Sequence, residues 1–312
     1  MKKKLIIDTD CGSDDAMAIA IALKDNDFDI KAITVVAGNV AADQAAKNTL
    51  TTLEYVNEYF PPVYMGAKKM LIRDLVYAHE THGNDGMGDL GFVPKKLNLA
   101  DGNAIFKMIE MLKAGEDKEY DVIALGPLTN IALAIRLDYE AMRKIDNLVI
   151  MGSAGLGWGN VSPVAEFNIW QDAEAAKIVI DSGLEKIILV GWDACLGTSM
   201  LDQDELDKLK KSGELGAFLV DSNRVLIDMN KGRFGYNCLD MADPAAMVAA
   251  LKPEIISEMD KYYCEVDTSN GPSYGAVLVD FNHFSGKKEN VYICSKLKSE
   301  EYKKYVLDIL MK

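Results

Sequence analysis

Histidine is scarce in this chain, with three among 312 residues, and the five cysteines are odd in number and scattered. No Cys-x-x-Cys arrangement occurs, so Cys11, Cys195, Cys238, Cys264 and Cys294 read as free thiols of a reducing compartment rather than as a disulfide framework or a zinc knuckle. Basic residues are also in the minority. Lysine and arginine total 34 against 48 aspartates and glutamates, and the net charge of −14 disfavours both nucleic acid and anionic membrane surfaces as partners. Long apolar runs are missing as well: none reaches the roughly eighteen residues needed to span a bilayer. Behind three lysines, Leu5-Ile6-Ile7 is too short for the apolar region of a signal peptide. No low-complexity linker, internal repeat or convincing domain boundary appears. The expectation is a cytosolic protein of one domain, 1–312, acting on a small molecule.

What the chain does have is acid, concentrated near its start. Leu5-Ile6-Ile7-Asp8-Thr9-Asp10-Cys11-Gly12-Ser13-Asp14-Asp15 sets four carboxylates at the junction between a short apolar strand and an almost wholly apolar helix. Two carboxylates about 5 Å apart repel by roughly 3 kcal/mol at an effective dielectric near 20. Helix capping accounts for one or two acids, not for four. A cation is the economical explanation, and oxygen ligands without nearby Cys or His pairs favour Ca²⁺ or Mg²⁺ over zinc.

Apolar residues make up 49% of the chain, ample for a core. Short β-type runs at 4–7, 30–36, 122–125, 148–151 and 187–190 alternate with helical patterns such as 14–23 and 41–59. This rhythm predicts an α/β fold: a single large domain with a central, mostly parallel sheet flanked by helices, Rossmann-like in its core. Further strands are expected near 262–266 and 276–281, and an amphipathic helix from Ser299. Each unusual polar cluster follows a strand, so the clusters share the rim where open parallel sheets bind ligands. Two glycine-rich stretches, 66–97 and 152–168, interrupt the rhythm and read as binding loops. The second carries Asn160, Glu166 and Asn168, a donor and acceptor set suited to a polyhydroxylated ligand. His82 stands in the first. Asp243-Pro244 begins an apolar helix as an ordinary cap would, a position that could also aim the carboxylate at a cation, and Trp158, Trp192, Phe234 and Tyr236 could stack on a nucleobase, with burial in the core the favoured fate of each.

Taken in order, Asp-Thr-Asp-x-Gly-x-Asp-Asp-Ala, Gly38-Asn39, His82-Gly83-x-Asp85-Gly86, Gly126-Pro127-Leu128-Thr129-Asn130, Asn160 through Asn168, and Asp243-Pro244 resemble the inosine-uridine preferring nucleoside hydrolase family. The resemblance implies the nucleoside hydrolase fold, a bound Ca²⁺ and hydrolysis of ribonucleosides to base and ribose. It implies Asp10, Asp15, Asp243 and the Leu125 carbonyl as metal ligands, with Asp10 also the general base. Asp14, Asn39, Asn160, Glu166 and Asn168 would hold ribose hydroxyls, Met151 would pack near the sugar and His82 near the base. It further implies a homo-oligomer, dimer or tetramer.

Two positions depart from that pattern. Cys11 stands where many members have proline, and Ala242 replaces a histidine that helps protonate the leaving base. That proton must come from His82, Tyr236, Cys11 or solvent. Two other readings compete. Strand-Asp8-Thr9-Asp10 is similar to the nucleophile motif of haloacid dehalogenase-like phosphatases, although Gly12 stands where that motif has threonine. Ala242 alone favours a Ca²⁺-dependent ribonucleoside-binding protein without turnover.

Overall fold

The computed structural model describes residues 2–312. Eight strands form the central sheet: β1 Lys3–Thr9, β2 Phe28–Val35, β3 Val63–Met65, β4 Tyr120–Ala124, β5 Leu148–Met151, β6 Ile187–Val190, β7 Ile256–Tyr262 and β8 Val291–Leu297. Their spatial order is β3-β2-β1-β4-β5-β6-β8-β7, with every neighbouring pair parallel except β8 and β7. The five anticipated core strands are present within two residues at each end. The short edge strand β3 and the late strands β7 and β8 were not anticipated; β8 adds parallel to β6 and receives β7 from the other side, while the strands expected near 262–266 and 276–281 pair with each other, Cys264–Val266 against Val277–Val279, outside the central sheet.

Side chains alternate between the two faces of the sheet. Leu5, Ile7, Ile33, Val35, Ile123 and Val149 point to one face, where α1 Ser13–Lys24, α2 Ala42–Val56, Ala242–Leu251 and Ser299–Leu310 cover them. Ile6, Val122, Ala124, Ile150 and Leu189 point to the other, beneath Ala104–Ala114, Thr129–Leu137 and Ala173–Ile180. Strands covered on both faces have no solvated side, which is why they read as unbroken apolar runs. The same holds for α1, whose residues Ser13 to Leu23 are all buried. Its acids therefore do not serve a solvated helix face.

Strand order reverses between β1 and β4, so the chain leaves their carboxyl ends in opposite directions and opens a crevice there. Asn130 ties the crevice floor together. Its Nδ2 donates to Asp8 Oδ1 at 2.8 Å and to the Val35 carbonyl at 3.1 Å, while its Oδ1 accepts the Ala67 N–H at 2.8 Å. Asp8 is thereby a structural carboxylate, its Oδ1 also taking the Thr34 hydroxyl at 2.5 Å. All five cysteines are free and buried, and no helix is long and apolar enough to cross a membrane among the described residues.

Candidate active site

Beyond β1 the chain turns sharply into α1, and the turn is held by its own acids. Asp15, at the third position of the helix, accepts the Gly12 N–H on Oδ2 at 2.8 Å and the Thr9 hydroxyl on Oδ1. Asp10 is packed between the loops that follow β2 and β4. Its Oδ2 accepts the Asn39 N–H at 2.6 Å, while its buried Oδ1 has no hydrogen-bond partner. A Cβ on Gly38 would lie 2.0 Å from Asp10 Oδ2, and one on Gly126 2.7 Å from Asp10 Oδ1. Both glycines are therefore the space the carboxylate occupies. Gly38→Ala is expected to displace Asp10 and cut turnover about a hundredfold, the scale of an ångström-sized misplacement at a reacting centre. A kcat within twofold of the parent would show that the Asp10 position does not matter.

The helix Ala242–Leu251 packs on α1 and brings Asp243 to Asp15 from more than two hundred residues away. Ligand atoms of Asp14, Asp15 and Asp243 all lie within 4.8 Å of one another, and all three residues are buried. Burial first, and then mutual repulsion, pushes Asp10 and Asp243 far above the usual carboxylate range and Asp15 to about 7. Among the described residues no lysine or arginine pairs with any of them; the nearest cationic group is His82, whose Nδ1 is 3.8 Å from Asp14 Oδ1. Burial also holds His82 below its ordinary value, against the pull of Asp14 and Asp240, so it is no permanent counter-charge. Asp14, Asp15 and Asp243, clustered without a counter-charge, fit a divalent cation with oxygen ligands; Asp10, whose Oδ1 is orphaned, lies outside that mutual 4.8 Å group, and Asp14, expected at the sugar, stands within it.

The carboxylates lie at the inner end of a cavity of about 650 Å³. Asp14, Asn39, His82, Leu125, Met151, Asn160, Glu166, Asn168 and Asp243 all line it, which brings nine of the anticipated residues to one space. Asp10 and Asp15 sit behind that lining, fully buried.

Several polar groups carry structural duties as well. Glu166 caps the short helix Phe167–Gln171: Oε1 accepts the Asn168 N–H at 2.7 Å, and Oε2 accepts those of Ile169 and Ser153 at 3.2 Å each. Burial nevertheless raises its carboxyl to about 7, the three amides only partly offsetting it. Asn168 commits its amide nitrogen to the Leu125 and Met151 carbonyls at 2.7 and 3.2 Å, which leaves the amide oxygen for a ligand. The Leu125 carbonyl retains a second lone pair. Asn160 Oδ1 takes the Phe167 N–H at 2.9 Å, leaving its NH₂ group free for the cavity.

His82 ends a single helical turn, His79–His82, rather than riding in an open glycine loop, and its Nδ1 lies 2.9 Å from the Ser13 hydroxyl. Of the aromatics expected in the core, Trp192 is buried, with Nε1 donating to Asp240 at 3.1 Å. Trp158 is 65% exposed and Tyr236 50%, because the loops carrying them lie outside both sheet faces. Tyr236 is absent from the cavity wall, and Cys11 is sealed behind the acids, where burial and Asp15 keep its thiol protonated. Of the three side chains offered as proton donors, His82 lines the cavity and Tyr236 and Cys11 do not.

The outer wall was not anticipated. Leu226, Met229 and Arg233 share one face of the helix Arg224–Phe234, and Asp240 completes the wall with both oxygens engaged, the second by Asn230 Nδ2 at 2.6 Å. Spacings of three and four residues on that helix were the available signal.

Comparison with known proteins returns one family throughout. The model of the inosine-uridine preferring nucleoside hydrolases matches residues 5–304. The chain is 32% identical over 292 residues to the pyrimidine-specific ribonucleoside hydrolase RihA of Enterobacter sp. (strain 638), covering 93% of this chain and 92% of that protein. In structure it is similar to a plant nucleoside hydrolase at a TM-score of 0.92 and 30% identity, covering 100% and 99% of the two chains. It is also similar to the purine-preferring ribonucleoside hydrolase of Gardnerella vaginalis at 0.91 and 26%, covering 99% and 98%.

Proposed function

Because the chain belongs to the inosine-uridine preferring nucleoside hydrolase family and is therefore an enzyme that hydrolyses nucleosides, we propose that it splits the N-ribosidic bond of ribonucleosides by direct attack of water, with Asp10 as general base and a Ca²⁺-dependent site. The phosphatase and binding-only readings are thereby set aside. The observation that supports this mechanism most is the Asp10 carboxylate itself, anchored on one oxygen and free on the other, buried directly behind the wall of a cavity lined with polar groups suited to a sugar.

Asp10, Asp15, Asp243 and the Leu125 carbonyl would hold the Ca²⁺, whose large oxygen shell would supply Lewis acidity toward water and a vicinal diol. The protein's own groups do the rest. Asp14, Asn39, Asn160, Glu166 and the Asn168 oxygen orient the ribose hydroxyls, with Met151 against the sugar, so that water faces C1′ opposite the base. Asp10 takes the proton of that water as its oxygen bonds to C1′ and the C1′–N bond breaks. Positive charge developing on the ribosyl ring is met by carboxylates and amide oxygens in a site screened from bulk solvent. Direct displacement inverts the anomeric carbon. The departing base gains a proton from His82 Nε2 when the ring is imidazolium, with Nδ1–H donating to the Ser13 hydroxyl, and His82 returns to neutral imidazole as the base leaves. Dimeric or tetrameric assembly belongs to the same proposal.

Incubation with inosine, uridine, cytidine and adenosine, with and without a chelator, tests the reading. Free ribose from at least one nucleoside, lost on chelation, is expected. No ribose from any of the four would overturn it.

A further inference from the structure

Asp193 lies outside every role assigned so far, yet a piece of the fold is shaped around it. It follows β6 in the turn Trp192–Cys195, half-buried, and its Oδ2 accepts the Leu156 N–H at 2.8 Å. Its other oxygen is buried without a partner. Two glycines make room for the carboxylate: a Cβ on Gly155 would lie 1.9 Å from Asp193 Oδ1, and one on Gly191 2.4 Å from the same atom. Gly155 has φ +63°, a conformation that other residues rarely adopt. Leu156 belongs to loop 152–165, which runs on to Asn160 and Val161 in the cavity wall.

The start of that loop is stitched to the same turn at adjoining points. The Trp192 N–H donates to the Ser153 carbonyl at 3.0 Å and the Gly152 N–H to the Val190 carbonyl at the end of β6 at 3.1 Å, while within the loop the Gly155 N–H donates to the Ser153 hydroxyl at 3.0 Å. Ser153 itself has φ +78°. Past Leu156 the loop is held mainly by bonds within itself: the Gly157 N–H donates to the Ala154 carbonyl at 3.1 Å, the Gly159 N–H to the Pro163 carbonyl at 3.2 Å, and the N–H groups of Asn160 and Val161 to the Ala165 carbonyl, while Leu156, Trp158 and Val164 are exposed apolar residues. Asp193 is the last attachment before this outward excursion.

We propose that Asp193 is a positioning residue that clamps loop 152–165 through the Leu156 N–H, and that this clamp sets the affinity of the cavity for its ribonucleoside rather than the rate of bond cleavage. The affinity half rests on the proposed function; the clamp itself does not. Losing a hydrogen bond to a charged acceptor frees the loop to sample positions in which Asn160 misses the sugar, and each binding event must then reorder it.

Three variants and two readouts test this. Asp193→Ala is expected to raise KM roughly tenfold with kcat within threefold of the parent. Asp193→Asn, which keeps a carbonyl oxygen for the Leu156 N–H, is expected to restore KM to within about threefold. Gly155→Ala, acting from the loop side, is expected to reproduce the loss. Limited proteolysis without substrate reads the clamp directly: cleavage within 154–164 accelerates in Asp193→Ala and Gly155→Ala. Cleavage equal to the parent in both, or an unchanged KM in both, overturns the proposal, as does failure of Asp193→Asn to rescue. Should the parent release ribose from no nucleoside, the functional reading fails while the proteolysis still decides the clamp.

Discussion

Asp10→Asn is expected to abolish ribose release, by roughly a thousandfold or more, and to leave the protein folded. The substitution preserves shape and the oxygen that accepts the Asn39 N–H, so the loop after β2 keeps its anchor. At the other position an NH₂ donor replaces an acceptor that has no protein partner, and neither a water proton nor a cation can be held there. Burial and the neighbouring Asp15 and Asp14 already disfavour the Asp10 charge, so a neutral amide removes repulsion. The metal-free variant should therefore melt no lower than the metal-free parent. Product assay together with thermal unfolding checks both halves: parent-like turnover removes Asp10 as the base, and a lowered melting temperature makes it a structural residue.

Chelation is the second large effect, and its dependence on pH carries more information than the loss of activity. In the metal-free protein Asp8, Asp15 and Glu166 titrate near 7, raised chiefly by burial, and Asp10 and Asp243 are raised further. These are acids whose folded-state values lie above their unfolded ones. From about pH 4 upward the folded chain keeps protons that the unfolded chain has released, so stability is greatest below the unfolded values, falls as pH rises through 7, and goes on falling above it while Asp10 and Asp243 still hold their protons. Each pH unit in which one such group differs changes stability by about 1.4 kcal/mol. A divalent cation reverses the trend by binding the ionised carboxylates. At a hundredfold excess over its Kd it adds about 2.7 kcal/mol, several degrees in Tm. The rise in Tm on adding Ca²⁺ should thus be larger at pH 7.5 than at pH 5, with turnover lost on chelation and regained with Ca²⁺. An identical Tm with and without Ca²⁺ at pH 7.5 would remove the metal from the site.

Much of this is legible in the sequence. Four acids crowded between an apolar strand and an apolar helix are a local anomaly, and the ordered motifs carry the family on their own. Less visible was how each polar residue divides its bonds. Asn130, read as part of a loop motif, is the clamp joining β1, β2 and the segment after β3. Glu166, read as a sugar ligand, spends two of its acceptor positions capping a helix and a third on the Ser153 N–H. Such assignments depend on partners remote in sequence, which periodicity does not report.

The sequence by itself determined the alternation of strand and helix, the two-sided burial of the sheet and the presence of an uncompensated acidic cluster, because apolar period and charge density are properties of neighbouring residues. Only the tertiary structure decided that Asp243 meets Asp15, that the helix Arg224–Phe234 walls the cavity while Tyr236 stays outside it, and that Asp193 holds a loop nearly forty residues before it. Those meetings follow from where the strand order reverses and how the covering helices cross, and the energies that set them are summed over whole packed faces rather than written in any short stretch of chain.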